Sequence, residues 1–295
     1  MAELSLPGDT TTPRRRPLPD LNRGLVLGWP SLMLWVFAAL PLLILMAVSL
    51  SHNVEGGSWA LGMGLENYRR LLGPRYLEIL LYSLMVSALV AVVSVAIAFP
   101  FAFFISRLSH RVQVLWLVFL LAGLSLSEVL VAFAWQVMLS RNIGLSQVLV
   151  WAGLMARPVS LQPSFGAVLT ALVYFVLPYT FLLFYPPLSR MDDSLLDAAR
   201  TMGASPLRSF LTVVIPIHRI PLIGSLLLVF VFVLGAYVTP TQLGRPEHWT
   251  LSVHITDQAT TAFNLPFAAA LAILLMGVAL LLVGFTARLG RREAG

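Results

Sequence analysis

The 295-residue sequence has no cysteine and no lysine, and only 11% of its residues are charged. Without cysteine there are no disulfides, thiolate nucleophiles or Cys-ligated metal sites. No G-x-x-x-x-G-K-[ST] run occurs, which excludes ATP binding through a P-loop, and no H-E-x-x-H occurs to mark a metalloprotease. The histidines at 52, 110, 218, 248 and 254 are scattered over loops. His248 and His254 lie in one loop but have no obvious third ligand, so no metal site is expected. No Ser/His/Asp order stands out either. The sequence therefore assigns no catalytic residue and no cofactor bound by this chain.

What is abundant is apolar surface, 58% of residues against about 45–50% in a soluble domain. A hydrocarbon core of roughly 30 Å needs about 20 apolar residues per helix. Residues 25–49, 79–106, 112–139, 164–189, 219–243 and 265–288 meet that length. None shows the alternation of an outer-membrane barrel strand. The expected fold is an all-α integral membrane bundle of six transmembrane helices.

All 19 basic residues are arginine. The net charge of +6 is read as positive loops beside a lipid bilayer, with no nucleic-acid partner. With the N-terminus inside, thirteen of those arginines fall on the cytoplasmic side, among them Arg14, Arg15, Arg16, Arg107, Arg190, Arg200 and Arg208. The positive-inside rule then places both termini in the cytoplasm. The first apolar stretch is longer than the 7–15 residues of a signal-peptide h-region and reads as an uncleaved helix.

The expected organisation is a cytoplasmic tail over 1–24 and a first membrane helix over 25–49. An outer loop over 50–78 carries an amphipathic helix, with Leu65, Tyr68, Leu71 and Leu72 at helical spacing. A permease core of five helices over 79–289 and a tail over 290–295 follow. A short outer helix is expected near 145–155. Pro178 lies within the fourth span and Pro240 interrupts the outer end of the fifth, which places those helices inside the bundle or against water.

One polar insert, LDAARTMGASPLRSFLTVVIP over 196–216, interrupts the apolar pattern. Residues 191–202 read as a helix with Asp192, Asp193 and Asp197 near its start, where carboxylates suit the helix dipole. Gly203 permits a left-handed turn that ends it. Ser205 is a good N-cap and Pro206 a good first residue for a second helix, which Pro216 is expected to stop. Phe210, Val213 and Val214 give that helix an apolar face, and Ala198 and Ala199 permit close helix approach.

The order Asp197-Ala198-Ala199, Gly203, Val213, Ile215-Pro216 resembles the EAA motif of permease subunits in binding-protein-dependent ABC importers. Every spacing agrees, with Asp197 in place of the usual glutamate. Residues 65–289 are similar, in order, to the spermidine/putrescine permease group. The run from Gly235 to Gly244 looks like the first permease of that pair, while Val131 stands where a cation is common. The resemblance implies a type I importer permease fold with 191–216 as a cytoplasmic helix–turn–helix coupling element. It implies as partners a cytoplasmic ABC ATPase dimer, which uses ATP and Mg, a second permease subunit in a heterodimer, and an extracytoplasmic substrate-binding protein. Asp197, Ala198, Ala199, Gly203, Ser205, Pro206 and Pro216 are the expected ATPase-coupling residues.

Glu128 is the carboxylate inside the apolar spans, and such groups normally face the bundle interior or a cavity. Ser125, Glu128 and Gln136 are expected along one side of the third helix, lining the substrate path, with Glu128 attracting an ammonium group. Tyr174 and Tyr179, flanking Pro178, and Thr239 and Gln242, at the broken end of the fifth span, are further candidates. The substrate expected from the resemblance is a polyamine; iron, thiamine or aminoethylphosphonate importers of the same type are alternatives. A proton-coupled carrier relaying through Glu128 is a more distant one.

Overall fold

The computed structural model describes residues 20–54, 58–60 and 62–292; most of the expected tail over 1–24, and residues 293–295, lie outside them. The chain divides into residues 1–46 and a unit over Ala47–Gly295. Helix α1 (Asp20–Ser49), whose residues up to Met46 belong to the first, contains Pro30 and Pro41. Its side chains Trp29, Leu34, Trp35 and Phe37 are exposed, as suits a helix solvated by lipid.

The second unit opens with a hairpin that the sequence did not announce, β1 (His52–Val54) antiparallel to β2 (Ser58–Ala60). Then come α2 (Glu66–Leu71), α3 (Pro74–Ser106), α4 (His110–Leu124), α5 (Glu128–Met138), α6 (Leu145–Trp151) and α7 (Phe165–Ser189). Next are α8 (Ser194–Thr201), α9 (Pro206–Ser209), a π-helical stretch Phe210–Val214 and α10 (Ile215–Ile217). The chain closes with α11 (Arg219–Leu234), α12 (Val238–Leu243), α13 (Leu251–Thr260) and α14 (Leu265–Arg292). Among the described residues four helices are long and apolar enough to cross a membrane, and two bent helix pairs raise that to six.

Helices α3, α7 and α11 form the centre. Val86, Val90 and Ala91 of α3 meet Val168, Ala171, Leu172 and Val176 of α7 and Val229 and Val233 of α11. Ser83, Ser87 and Ser94 are buried in the same helix α3. Small residues at such positions let helix backbones approach closely, which is the main attraction between helices when the solvent is lipid. A second cluster at the far end joins Phe99, Ala102 and Ile105 to Phe181, Phe184, Leu196 and Val214. A third packs Leu71 and Tyr76 against Leu251, Phe267 and Leu271. Helix α3 starts at Pro74, earlier than the expected residue 79, because Gly73 is extended and Pro74 has its ring preset for the first helical position.

Three expectations about helix continuity are corrected. The third span is not one helix, because α4 and α5 meet at 94° across residues 125–127. Ser125 caps the end of α4, and Ser127 starts α5 by accepting from the Val129 N–H at 3.3 Å. Ser125, Glu128 and Gln136 therefore do not lie along one side of a single helix. The fifth span is interrupted, but before Pro240 and not at it: α11 ends at Leu234 and the chain resumes as α12, whose first turn holds Pro240, where a missing N–H costs nothing. Pro216 does not stop its helix. The preceding π turn is wider, which relieves the clash a proline makes with the carbonyl behind it, and the chain bends by 75° only at His218. That histidine is buried, with Nδ1 2.9 Å from the Val214 carbonyl and Nε2 3.3 Å from that of Pro187.

Gly144, which precedes α6, has φ +92°, and a Cβ there would sit 2.4 Å from the Met138 carbonyl oxygen. Backbone strain of this kind costs about 1–3 kcal/mol. Gly144→Ala is therefore expected to lower the unfolding temperature of the detergent-solubilised protein by several degrees. Unchanged thermal unfolding would mean that this turn is free to relax.

Candidate coupling element and substrate path

Residues 192–217 build a helix–turn–helix at the end of the bundle where α3 and α7 finish. Asp192 Oδ1 accepts from the Ser194 N–H at 2.9 Å, and this bond holds the Asp192 carboxyl below the usual carboxylate range. Helix α8 thus begins at Ser194, three residues later than expected. Leu196 and Ala199 are its buried side, while Asp197 and Ala198 are exposed. The two alanines therefore differ: Ala199 is buried within the protein and Ala198 faces outward. Asp197 pairs with Arg200 at 3.2 Å, and both are well exposed.

The turn obeys local rules. Gly203 has φ +84°, its N–H bonds the Arg200 carbonyl at 2.9 Å, and the Ala204 N–H bonds that of Ala199 at 3.1 Å. Such a left-handed cap satisfies carbonyls that the helix end leaves open. Ser205 accepts from the Arg208 N–H at 3.3 Å, and Pro206 is the first residue of α9. Val214 is fully buried, and Phe210 and Val213 are half-buried. The apex leaves Met202 82% and Leu207 69% exposed, beside a Gly203 with open space where a side chain would be. Exposed large apolar side chains around an open turn form a surface fit for another protein.

Glu128 and Thr239 come together although 111 residues separate them. Glu128 Oε1 accepts from the Thr239 N–H at 3.1 Å and from its Oγ1 hydroxyl at 3.0 Å. The carboxylate of one broken span therefore caps the short helix of the other. Thr239 is only 1% exposed, so its donors have no water to fall back on. No pattern in either segment alone could have paired these residues.

The other path candidates scatter. Tyr174 lies edge-on to Trp135, with ring centroids 5.7 Å apart. It lines two apolar cavities, of about 560 and 350 Å³, that share Leu126 and Val131. Pro178, Trp116 and Phe119 line the larger one. Tyr179 points elsewhere and packs on Phe232 at 5.4 Å. Ser125 donates back to the Leu121 carbonyl at 3.2 Å, and the Gln136 backbone carbonyl accepts from Gln162 Nε2 at 3.1 Å. Gln242 is exposed on α12. A polar cavity of about 450 Å³, which no local sequence pattern marks, lies at the opposite end of α3 from α8 and is lined by Arg75, Glu78, Glu247, Trp249 and His254. Among the described residues no group of three or more His, Asp or Glu could hold a metal ion.

Residues 98–294 match the family described as binding-protein-dependent transport system inner membrane component. The chain belongs to this family. The permease is 30% identical over 267 residues to the spermidine/putrescine transport system permease protein PotB of Escherichia coli (strain K12), a match covering 90% of this chain and 96% of that protein. The Haemophilus influenzae protein of the same name is 27% identical, over 80% of this chain and 83% of its own. The fold is also that of a solved bacterial alginate ABC transporter in complex with a periplasmic protein bound to alginate pentasaccharide. There the TM-score is 0.70 at 17% identity, covering 93% of this chain and 96% of that one. The permease is thus a multi-pass inner-membrane subunit of an ABC importer, a transport component and not an enzyme.

Proposed function

We propose that this permease forms one half of the translocation path for a polyamine such as spermidine or putrescine. The observation that carries the substrate is its match to a spermidine/putrescine permease along nearly the whole of both chains. Its partners in this reading are a second, different permease subunit, an extracytoplasmic binding protein that delivers the substrate, and a cytoplasmic ATPase dimer. ATP and Mg are used by the ATPase, while this chain supplies differential contact in its outward- and inward-facing states.

Both termini and the 191–216 element face the cytoplasm in this reading, on the arginine-rich side. The apex from Ala198 to Leu207 is the surface that meets the ATPase, with Asp197, Gly203, Ser205 and Pro206 fixing its shape. Substrate passes Glu128, beside Thr239, and separately the ring of Tyr174, since a carboxylate and an aromatic ring each favour an ammonium group.

The test is to reconstitute the permease with its second permease, ATPase and binding protein, and to follow radiolabelled putrescine and spermidine. Saturable, ATP-dependent uptake that needs the binding protein is the expected outcome. Uptake of ferric iron, thiamine or aminoethylphosphonate in place of polyamine would overturn the substrate. Transport by this chain alone would overturn the importer arrangement in favour of a carrier.

A further inference from the structure

Helix α8 reaches the core helix α3 across a hollow. A cavity of about 570 Å³ opens between their ends beside their apolar packing, lined by Ser106 and Arg107 at the end of α3 and by Asp193, Asp197 and Arg200 around α8. One polar contact crosses that gap. Arg107, the residue that caps the end of α3, donates through Nη1 to Asp193 Oδ1, and Asp193 is the residue that caps the start of α8. The two lie 86 residues apart in the chain.

The arginine is held in place. Its guanidinium carbon stands 5.3 Å from the centre of the Phe103 ring, and its side chain is only 23% exposed. Asp193 is the exposed member, at 69%. Within the same helix cap the Asp193 carbonyl accepts from the Leu196 and Asp197 N–H groups at 3.0 and 3.1 Å. A pull on the Asp193 side chain therefore acts directly on the first turn of α8, next to the acidic residue of the EAA-like motif.

We propose that Arg107 is a positioning residue, a strut that makes α8 and the end of α3 move as one body. The proposal rests on the coupling role given above to the 191–216 element. Leu196 anchors the same helix to Phe99, Ala102 and Ile105 through apolar contact, and apolar contact is non-directional. The charge-assisted hydrogen bond adds a fixed length and direction. Without it α8 can slide on its apolar side, and a displacement of α8 is no longer passed in full to the core helix. Because only one guanidinium nitrogen meets Asp193, a single ammonium donor suffices for the role.

The experiment uses the complete transporter in proteoliposomes and measures polyamine uptake per ATP hydrolysed. Arg107→Gln and Asp193→Asn are each expected to lower that ratio about fivefold, with basal ATP hydrolysis unchanged. Arg107→Lys is expected to keep at least half of it, and the exchange of Arg107→Asp with Asp193→Arg to recover most of it. A fully coupled Arg107→Gln protein would overturn the strut. So would an Arg107→Lys protein as uncoupled as Arg107→Gln, or an exchange variant with no recovery. If the wild-type complex shows no ATP-dependent uptake, the importer reading itself fails and the strut with it, an outcome distinct from a coupled wild type with a neutral variant.

Discussion

Gly203→Asp is expected to insert, fold and assemble normally, yet to take up polyamine at least about tenfold more slowly while ATP hydrolysis continues. The fold tolerates the change because nothing lies within 4 Å of the position a Cβ would take. The remaining cost is the left-handed backbone at φ +84°, about 1–2 kcal/mol for most residues and less for aspartate, which visits that region more readily. In the proposed coupling role the change is tolerated poorly, because the empty space belongs to the exposed apex between Met202 and Leu207. A charged side chain there would keep the proposed docking surface from closing. Gly203→Asn, with a similar backbone preference and no charge, is the control for strain alone. The check is uptake and ATP hydrolysis in the same proteoliposomes, and normal uptake by Gly203→Asp would remove the apex from the interface with the ATPase.

The second large effect concerns Glu128. Glu128→Ala leaves the Thr239 N–H and hydroxyl without an acceptor at a position that is 1% exposed. An orphaned buried donor costs about 1–3 kcal/mol. The variant is expected to unfold several degrees earlier in detergent and to lose most uptake. Glu128→Gln retains a carbonyl oxygen that can accept both bonds, so its thermal unfolding should match that of the wild type. Its polyamine uptake is expected to fall about tenfold, the size of one lost charge contact with a cation. Wild-type uptake in the glutamine variant would confine Glu128 to capping α12. The pair of variants thus separates the oxygen from the charge.

The helix–turn–helix was legible because each of its signals acts within a few residues. A glycine for a left-handed turn, a serine cap two positions on and a proline at the next helical position are chemistry of the local backbone. The break in the third span, and the early end of the fifth at Leu234, were not legible for the opposite reason, although Pro240 marks the fifth as interrupted. An all-round apolar run carries no periodicity that marks where a helix stops, and the run over 112–139 contains no proline. What holds α5 away from α4 is partly Ser127, a weak local signal, and partly the bond from Glu128 to Thr239. That bond is long-range and invisible to any window along the chain. The same applies to Tyr174 and Tyr179. Flanking one proline suggested a shared site, but helical geometry sends one toward the cavities and the other toward Phe232.

The π-helical stretch over Phe210–Val214 fixes a phase. An α-helix advances roughly 100° per residue, so one extra residue in a wide turn offsets everything after it by that angle. The apex that carries Leu207 and the buried His218, where this helix ends against the core, lie on opposite sides of that offset. Removing a single residue such as Thr212 would restore an ordinary helical turn and rotate the two faces against each other. The apex and the core could then no longer both be correctly oriented, although every other residue was kept.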